Sequence, residues 1–244
     1  MLAHRGLAVS EVENTAGAFA AAIEAGSLYI ETDAHVTADG VAVLWHDPNL
    51  LRFGNRRERI DQLTWSQLRE FRYRDAQILS LAEALERFPE ARFNIDLKVE
   101  RAIEPVATAI EAADARGRTL LTSFSDARRL RAAERLPGVA TSVGMAAVAR
   151  MVASGRPFAS PRQRTTRITE ALAGAVAVQI PRRRYGIPVL SRSLLESVHA
   201  AGAEVHVWTI NDPSEMRELL AMGVDGVVSD RADLAVEVVN AAQN

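Results

Sequence analysis

The chain contains no cysteine, which excludes disulfides and thiolate metal sites and leaves the redox compartment open. It carries a single lysine, Lys98, against 28 arginines. A genome that favours arginine codons accounts for the bias, and it marks Lys98 as a position worth explaining. No apolar run approaches the roughly 20 residues of a membrane span. Met1-Leu2-Ala3-His4 shows no basic stretch leading into an apolar one, so no secretory signal is expected and the cytoplasm is the default location. A net charge of −2 gives no reason to expect a nucleic-acid partner. With 244 residues, 48% hydrophobic and 25% charged, the chain suits one barrel-sized globular domain or two small ones.

Short runs rich in Val and Ile alternate with helical patterns, the signature of βαβ units and a parallel sheet. Strands are expected near Leu2–His4, Leu28–Asp33, Arg92–Leu97, Thr119–Thr122, Ala140–Val143, Ala175–Gln179, Glu204–Trp208 and Gly226–Ser229. Helices are expected over Asn14–Ala25, Arg101–Ala115, Asp126–Arg135, Ser191–Ala201, Pro213–Met222 and Asp233–Ala242. Gly26, Gly117, Gly202 and Gly223 fall where helix C-termini need them. Eight strands with helical crossovers fit a closed TIM (β/α)8 barrel better than an open doubly wound sheet, whose Gly-rich first turn is missing. Two segments interrupt the alternation. Thr37–Trp45, with its Asp39-Gly40 turn, predicts a hairpin growing from the second strand. Arg150–Arg167, Arg-rich with Pro157 and Pro161, reads as a long loop or lid. Neither repeat nor linker is present, so a single domain over 1–244 is expected.

Active sites of such barrels lie at the C-terminal ends of the strands, and residues two apart on a strand share a face. Glu31 and Asp33 share one at the end of the second strand; Asn94, Asp96 and Lys98 share one on the third. His4 closes the first strand and Arg5 starts its loop. His46 and Asp47 end the hairpin strand, and Trp208 ends the seventh. Singly, each has a bland reading, since a strand-end carboxylate is more often a cap or a solvated loop residue. Together, three carboxylates, two histidines, an arginine and the only lysine converge on one end. Three clustered carboxylates call for a cation between them. All-oxygen ligation suits Mg2+ or Ca2+ rather than Zn2+. A divalent ion beside Arg5 and Lys98 makes a pocket for a phosphoryl group, and histidines on both sides can move protons near neutral pH.

In order, His4-Arg5-Gly6, Glu13-Asn14-Thr15, Glu31-Thr32-Asp33 and Thr37-Ala38-Asp39-Gly40 leading to His46-Asp47 resemble the signature of glycerophosphodiester phosphodiesterases. The resemblance continues through Asn94-Ile95-Asp96-Leu97-Lys98, Ser123-Phe124, Val207-Trp208-Thr209-Ile210-Asn211 and Gly223-Val224-Asp225-Gly226, so it covers nearly the whole chain. It implies that Glu31, Asp33 and Asp96 hold one divalent cation and that His4 and His46 form the general acid/base pair. It further implies that Arg5 and Lys98 bind the phosphate, that Glu13 sits at the pocket edge and that Trp208 faces the substrate. The implied reaction is hydrolysis of glycerophosphodiesters to glycerol 3-phosphate and an alcohol.

The chain departs from the family pattern at three points. Asp96 stands where Glu is commoner, an exchange shared with lysophospholipase D and sphingomyelinase D relatives, which blurs the substrate. The loop Leu7–Val12 is short, and Val12 replaces the usual Pro. A lysophospholipase D acting on acyl-bearing substrates is therefore the runner-up, and it needs an apolar approach to the pocket. From another class, a Schiff-base lyase built on Lys98 is the rival; a non-catalytic phosphate-binding relative is disfavoured by His4 and His46. Among the rest, Gln179 at the end of the sixth strand is a candidate substrate contact. His206 is expected buried and hydrogen-bonded, His199 lies in an amphipathic helix, and His35 has a supporting place beside the carboxylates open to it. Arg182-Arg183-Arg184 reads as a solvated loop cluster or as an attractor of anionic substrate.

Overall fold

Nearly every residue of β2 (Tyr29–Val36) and β3 (Arg92–Leu97) is buried, the apolar Ile30, Ala34 and Val36 and Phe93, Ile95 and Leu97 alternating with polar side chains, as befits strands covered on both faces. Six further strands run parallel to them: β1 (Leu2–His4), β4 (Thr119–Thr122), β5 (Ala140–Thr141), β6 (Ala177–Pro181), β7 (Glu204–Trp208) and β8 (Gly226–Ser229). Hydrogen-bonded neighbours follow the order β5-β4-β3-β2-β1-β8-β7-β6. The remaining gap is bridged by one parallel pair, Ser142 with Ala177. Two backbone bonds flank it, from Val143 N to Ala177 O at 3.1 Å and from Val176 N to Thr141 O at 2.9 Å. The ring is a nearly closed (β/α)8 barrel. The computed structural model describes residues 1–154 and 160–243, and among them no helix is long and apolar enough to cross a membrane.

Helices α1 (Ala16–Glu24), α2 (Leu81–Arg87), α3 (Ile103–Ala112), α4 (Asp126–Arg135), α5 (Met145–Ser154), α6 (Pro161–Leu172), α7 (Arg192–Ala200), α8 (Pro213–Met222) and α9 (Ala232–Gln243) cover the outside. Their starts are local chemistry. Ser80 with Glu83 and Ser160 with Gln163 form reciprocal capping boxes, and Asp212 caps α8 ahead of Pro213. Gly26, Gly202 and Gly223 take positive φ at helix ends as expected. Gly117 does not: it lies in a short 3-10 turn, Arg116–Arg118, and Asp114 takes the left-handed φ of 46° after α3 instead.

Two sequence expectations need correction. The hairpin forms, with Ala42–Leu44 antiparallel to β2, but it opens a larger excursion. From Trp45 to Ile78 a satellite core gathers Trp45, Leu50, Ile60, Leu68, Phe71 and Ile78, around short helices Leu51–Gly54 and Trp65–Glu70. The expected loop or lid at Arg150–Arg167 is helical at both ends: Arg150 lies in α5 and Arg167 in α6. Ser160-Pro161 is a helix start, and Arg150, Arg162 and Arg167 are exposed on their helices, while Arg156 lies outside the described residues. Pro157 falls at 155–159, outside the described residues.

Candidate active site

At the C-terminal mouth of the barrel a cleft of about 230 Å³ is lined by His4, Arg5, Glu31, Asp33, His46, Asp96, Lys98, Gln179 and Trp208. The strand register explains the convergence, because Glu31 pairs with Asn94 and Asp33 with Asp96 across β2 and β3, while His4 pairs with Glu31 across β1 and β2. Of the residues to which the resemblance gives a role only Glu13 stands outside the lining, one bond away, accepting from Arg5 Nη1 at 2.9 Å. Gly6 permits the turn that presents Arg5: its φ is +85°, and a Cβ there would lie 2.6 Å from the Ala18 backbone.

Lys98 is central. Its ammonium lies 2.7 Å from Asp33 Oδ1 and 2.7 Å from Asp96 Oδ2. Asp33 also meets Arg5 Nε at 3.1 Å and accepts from Asn14 Nδ2 at 3.0 Å. Burial alone would push the Asp33 carboxyl up, yet Lys98 and Arg5 hold it below the usual range. Among the described residues the Glu31 carboxyl accepts only from the Arg5 backbone N–H at 3.2 Å and faces His4 Nε2 at 3.9 Å, and burial beside Asp33 pushes it up to about 8. Asp96 is raised as well, by burial that Lys98 only partly offsets. Asp96 Oδ1 is buried without a hydrogen bond. Among the described residues no three acidic or histidine side chains stand spaced to grip one ion, since Lys98 lies between two of the carboxylates. The donor chemistry nevertheless suits a hard cation: three acidic side chains, an unpartnered buried oxygen and a carboxyl whose charged form burial disfavours.

Each histidine of the mouth is tied by its Nδ1 to a carboxylate. His4 meets Asp230 Oδ1 at 2.6 Å and His46 meets Asp47 Oδ1 at 2.8 Å. Burial depresses His4, but the hydrogen bond to Asp230 and the charge of Glu31 outweigh it and raise its pKa. Asp230 is held by Asn211 Nδ2 at 2.8 Å. Asp230 was not a sequence candidate, and Asn211 belonged to a quoted motif with no assigned place; they lie just past strand ends, after β8 and β7. The opposite wall is apolar: Phe124, Val143, Met145, Val148 and Trp208, with Phe124 and Trp208 edge-to-face at 6.1 Å. Phe124 belonged to a quoted motif but had no assigned place; its 56% exposure fits a pocket rim.

The other candidates lie deeper than the mouth or away from it, Gln179 alone among them lining the cleft. Because β6 runs on to Pro181, Gln179 lies a layer below the strand end, between Asn94 Nδ2 at 3.4 Å and His206 Nδ1 at 3.2 Å. His206 is buried and also meets Glu204 at 3.0 Å. His199, on α7, pairs with Asp225. His35 meets the His46 carbonyl at 3.2 Å, so it supports the backbone of that histidine. Arg182 is paired with Glu215 and Glu218 rather than solvated, and Arg183–Arg184 form a short hairpin with Ile187–Pro188.

Comparison with known proteins finds relatives across nearly the whole chain. Residues 4–234 match the Glycerophosphoryl diester phosphodiesterase family. A probable glycerophosphodiester phosphodiesterase 2 of Mycobacterium tuberculosis is 39% identical over 240 residues, 97% of this chain and 89% of the relative. The crystal structure of a glycerophosphodiester phosphodiesterase from Thermotoga maritima is 26% identical, with a TM-score of 0.74 over 97% of this chain and 96% of its own. An Oleispira antarctica phosphodiesterase, solved with its product sn-glycerol-3-phosphate, shares the fold at a TM-score of 0.81 and 22% identity, over 98% of this chain and 96% of its own. The chain belongs to the glycerophosphoryl diester phosphodiesterase family and is a phosphoric diester hydrolase.

Proposed function

We propose that this hydrolase cleaves glycerophosphodiesters to glycerol 3-phosphate and an alcohol, using one divalent cation, Mg2+ or Ca2+, and two histidines. The observation that carries the reading is the pair of Nδ1–carboxylate contacts at His4 and His46, on either side of the Lys98 and Arg5 cations. With Nδ1 engaged, Nε2 is the nitrogen each ring offers to a substrate. Glu31, Asp33 and Asp96 would hold the cation, which supplies charge to offset that developing on the phosphoryl oxygens. Lys98 and Arg5 add a point charge and a planar fork for the same oxygens. Trp208 and the apolar wall would lie along the alcohol.

One histidine takes a proton from the attacking hydroxyl while the other gives one to the departing alcohol oxygen, and their roles reverse in the second step. The glycerol 2-hydroxyl is the attacker in this scheme. It forms a P–O bond as the bond to the alcohol breaks, leaving a cyclic 1,2-phosphate that water then opens. Internal attack gains from proximity, an advantage that reaches about 7–11 kcal/mol for well-oriented groups.

The test is a diester whose glycerol is replaced by propane-1,3-diol, followed by phosphate-ester release. It should bind competitively and turn over at a small fraction of the natural rate. Equal turnover would reject internal attack in favour of water. His4→Ala and His46→Ala should each cost about 10²–10⁴-fold on the natural substrate; full activity in either would remove that histidine from the chemistry. A second reading, lysophospholipase D activity, is favoured by the wall of Phe124, Met145 and Val148, which is the apolar approach that an acyl chain needs. Rates on lysophosphatidylcholine and glycerophosphocholine, measured side by side, decide between the two.

A further inference from the structure

Arg52 lies outside the cleft, on the helical turn Leu51–Gly54 of the inserted segment. Its guanidinium makes three contacts. Nε donates to Asp47 Oδ2 at 2.6 Å, Nη1 donates to Glu13 Oε2 at 3.2 Å, and Nη2 donates to Glu13 Oε1. Both recipients have a second task. The other oxygen of Asp47 meets His46 Nδ1 at 2.8 Å, and Glu13 Oε1 also accepts from Arg5 Nη1 at 2.9 Å. One side chain thus joins the loop after β1, which carries Arg5 and Glu13, to the segment that carries His46 and Asp47.

We propose that Arg52 is a positioning residue for two groups at once, fixing the ring of His46 through Asp47 and sharing Glu13 with Arg5. The inference rests on the roles given above to His46 and Arg5. The first effect concerns the tautomer: an Asp47 carboxylate pinned from behind presents one oxygen to Nδ1, which keeps that proton in place and leaves Nε2 to exchange protons with substrate. The second effect concerns charge. Glu13 divided between two guanidiniums neutralises Arg5 less than a Glu13 with Arg5 as its sole partner would. Arginine suits the task because its rigid fork can serve one carboxylate through Nε and another through both terminal nitrogens, whereas an ammonium is a single point charge.

Arg52 is 42% exposed at its side chain, so its removal should leave the fold intact and the melting temperature nearly unchanged. On a soluble glycerophosphodiester, Arg52→Met should lower kcat about tenfold, the loss expected when a coupled neighbour is removed. It should also raise KM severalfold, as Glu13 turns wholly to Arg5. Arg52→Lys should recover only part of either. The ¹⁵N signals of His46, which read the tautomer directly, should move from a single Nδ1–H form to a mixture in Arg52→Met. With Asp47→Asn already in place, adding Arg52→Met should lower kcat little further, because both changes cut the same link. Unchanged kcat and KM with an unchanged His46 tautomer would overturn the proposal, as would strictly additive losses in the double variant. A fully active His46→Ala would instead bring down the underlying reading. An inactive His46→Ala beside a normal Arg52→Met would overturn the Arg52 proposal alone.

Discussion

Replacing Lys98 by Met tests how the buried carboxylates are kept together. The ammonium sits 2.7 Å from each of two carboxylate oxygens, with side-chain exposures of 17% for Lys98, 2% for Asp33 and 7% for Asp96. Methionine keeps the length and removes the charge, so Asp33 and Asp96 confront each other beside Glu31 with Arg5 as the remaining cation on Asp33. Breaking a buried pair from one side costs about 3–5 kcal/mol. For a chain of this size each kcal/mol moves the melting temperature by about 2–4 °C, so a fall of about 6–20 °C is expected in excess chelator at pH 8. The fall should shrink in acid. A carboxyl whose pKa is raised in the fold, as for Glu31 at about 8 and for Asp96, binds a proton that the unfolded chain does not, so stability is gained as pH falls through the raised value. Thermal melts of wild type, Lys98→Met and Lys98→Arg at pH 8 and pH 5.5 read this directly. A Lys98→Met melt within 2 °C of wild type at pH 8 would refute the electrostatic account. Lys98→Arg should keep much of the stability yet lose nearly as much activity as Lys98→Met, because a planar fork cannot stand where a point charge fits; a wild-type rate would make the lone lysine an accident of composition.

Activity should need a divalent ion: Asp33→Asn is expected to cost at least about 100-fold, and full activity after dialysis into excess chelator would discard the metal. Asp96→Glu, which restores the commoner family residue, should keep part of the rate. Burial holds His206 below the usual histidine range, so the unfolded chain takes up that proton first as pH drops below about 6.5. The stability this residue contributes is complete above that value and lost below it. His206→Asn should accordingly lose less stability than wild type between pH 7 and pH 5 in urea denaturation, and an equal loss would place the titration elsewhere.

The acidic half of the pocket was legible because period-2 spacing at strand ends is a local signal. Glu31 and Asp33, then Asp96 and Lys98, each announce a shared face before any tertiary contact is known. Asp230 and Asn211 carried no such mark, being single polar residues on separate loops: Asp230 meets His4 across 226 positions of chain, and Asn211 meets Asp230. Arg52 was hidden among Arg56, Arg57 and Arg59, where composition cannot tell a bridging guanidinium from a solvated one. The satellite core eluded periodicity because its elements are too short to express a period, and aromatic packing such as Trp45 on Phe53 and Phe71 defines it instead. The Arg150–Arg167 misreading came from weighing prolines as breakers when Pro161 opens a helix.

The barrel is not equally fastened around its circumference. The carboxylates project from β2 and β3, which pair over six consecutive residues, whereas the apolar wall at Val143, Met145 and Val148 follows β5, whose join to β6 is one bridge. Local opening favours the side with fewer backbone bonds to break. The cleft is therefore stiff where the phosphoryl group would be handled and yielding where the alcohol would lie, so that leaving groups of different bulk could be admitted at the seam without disturbing the catalytic end.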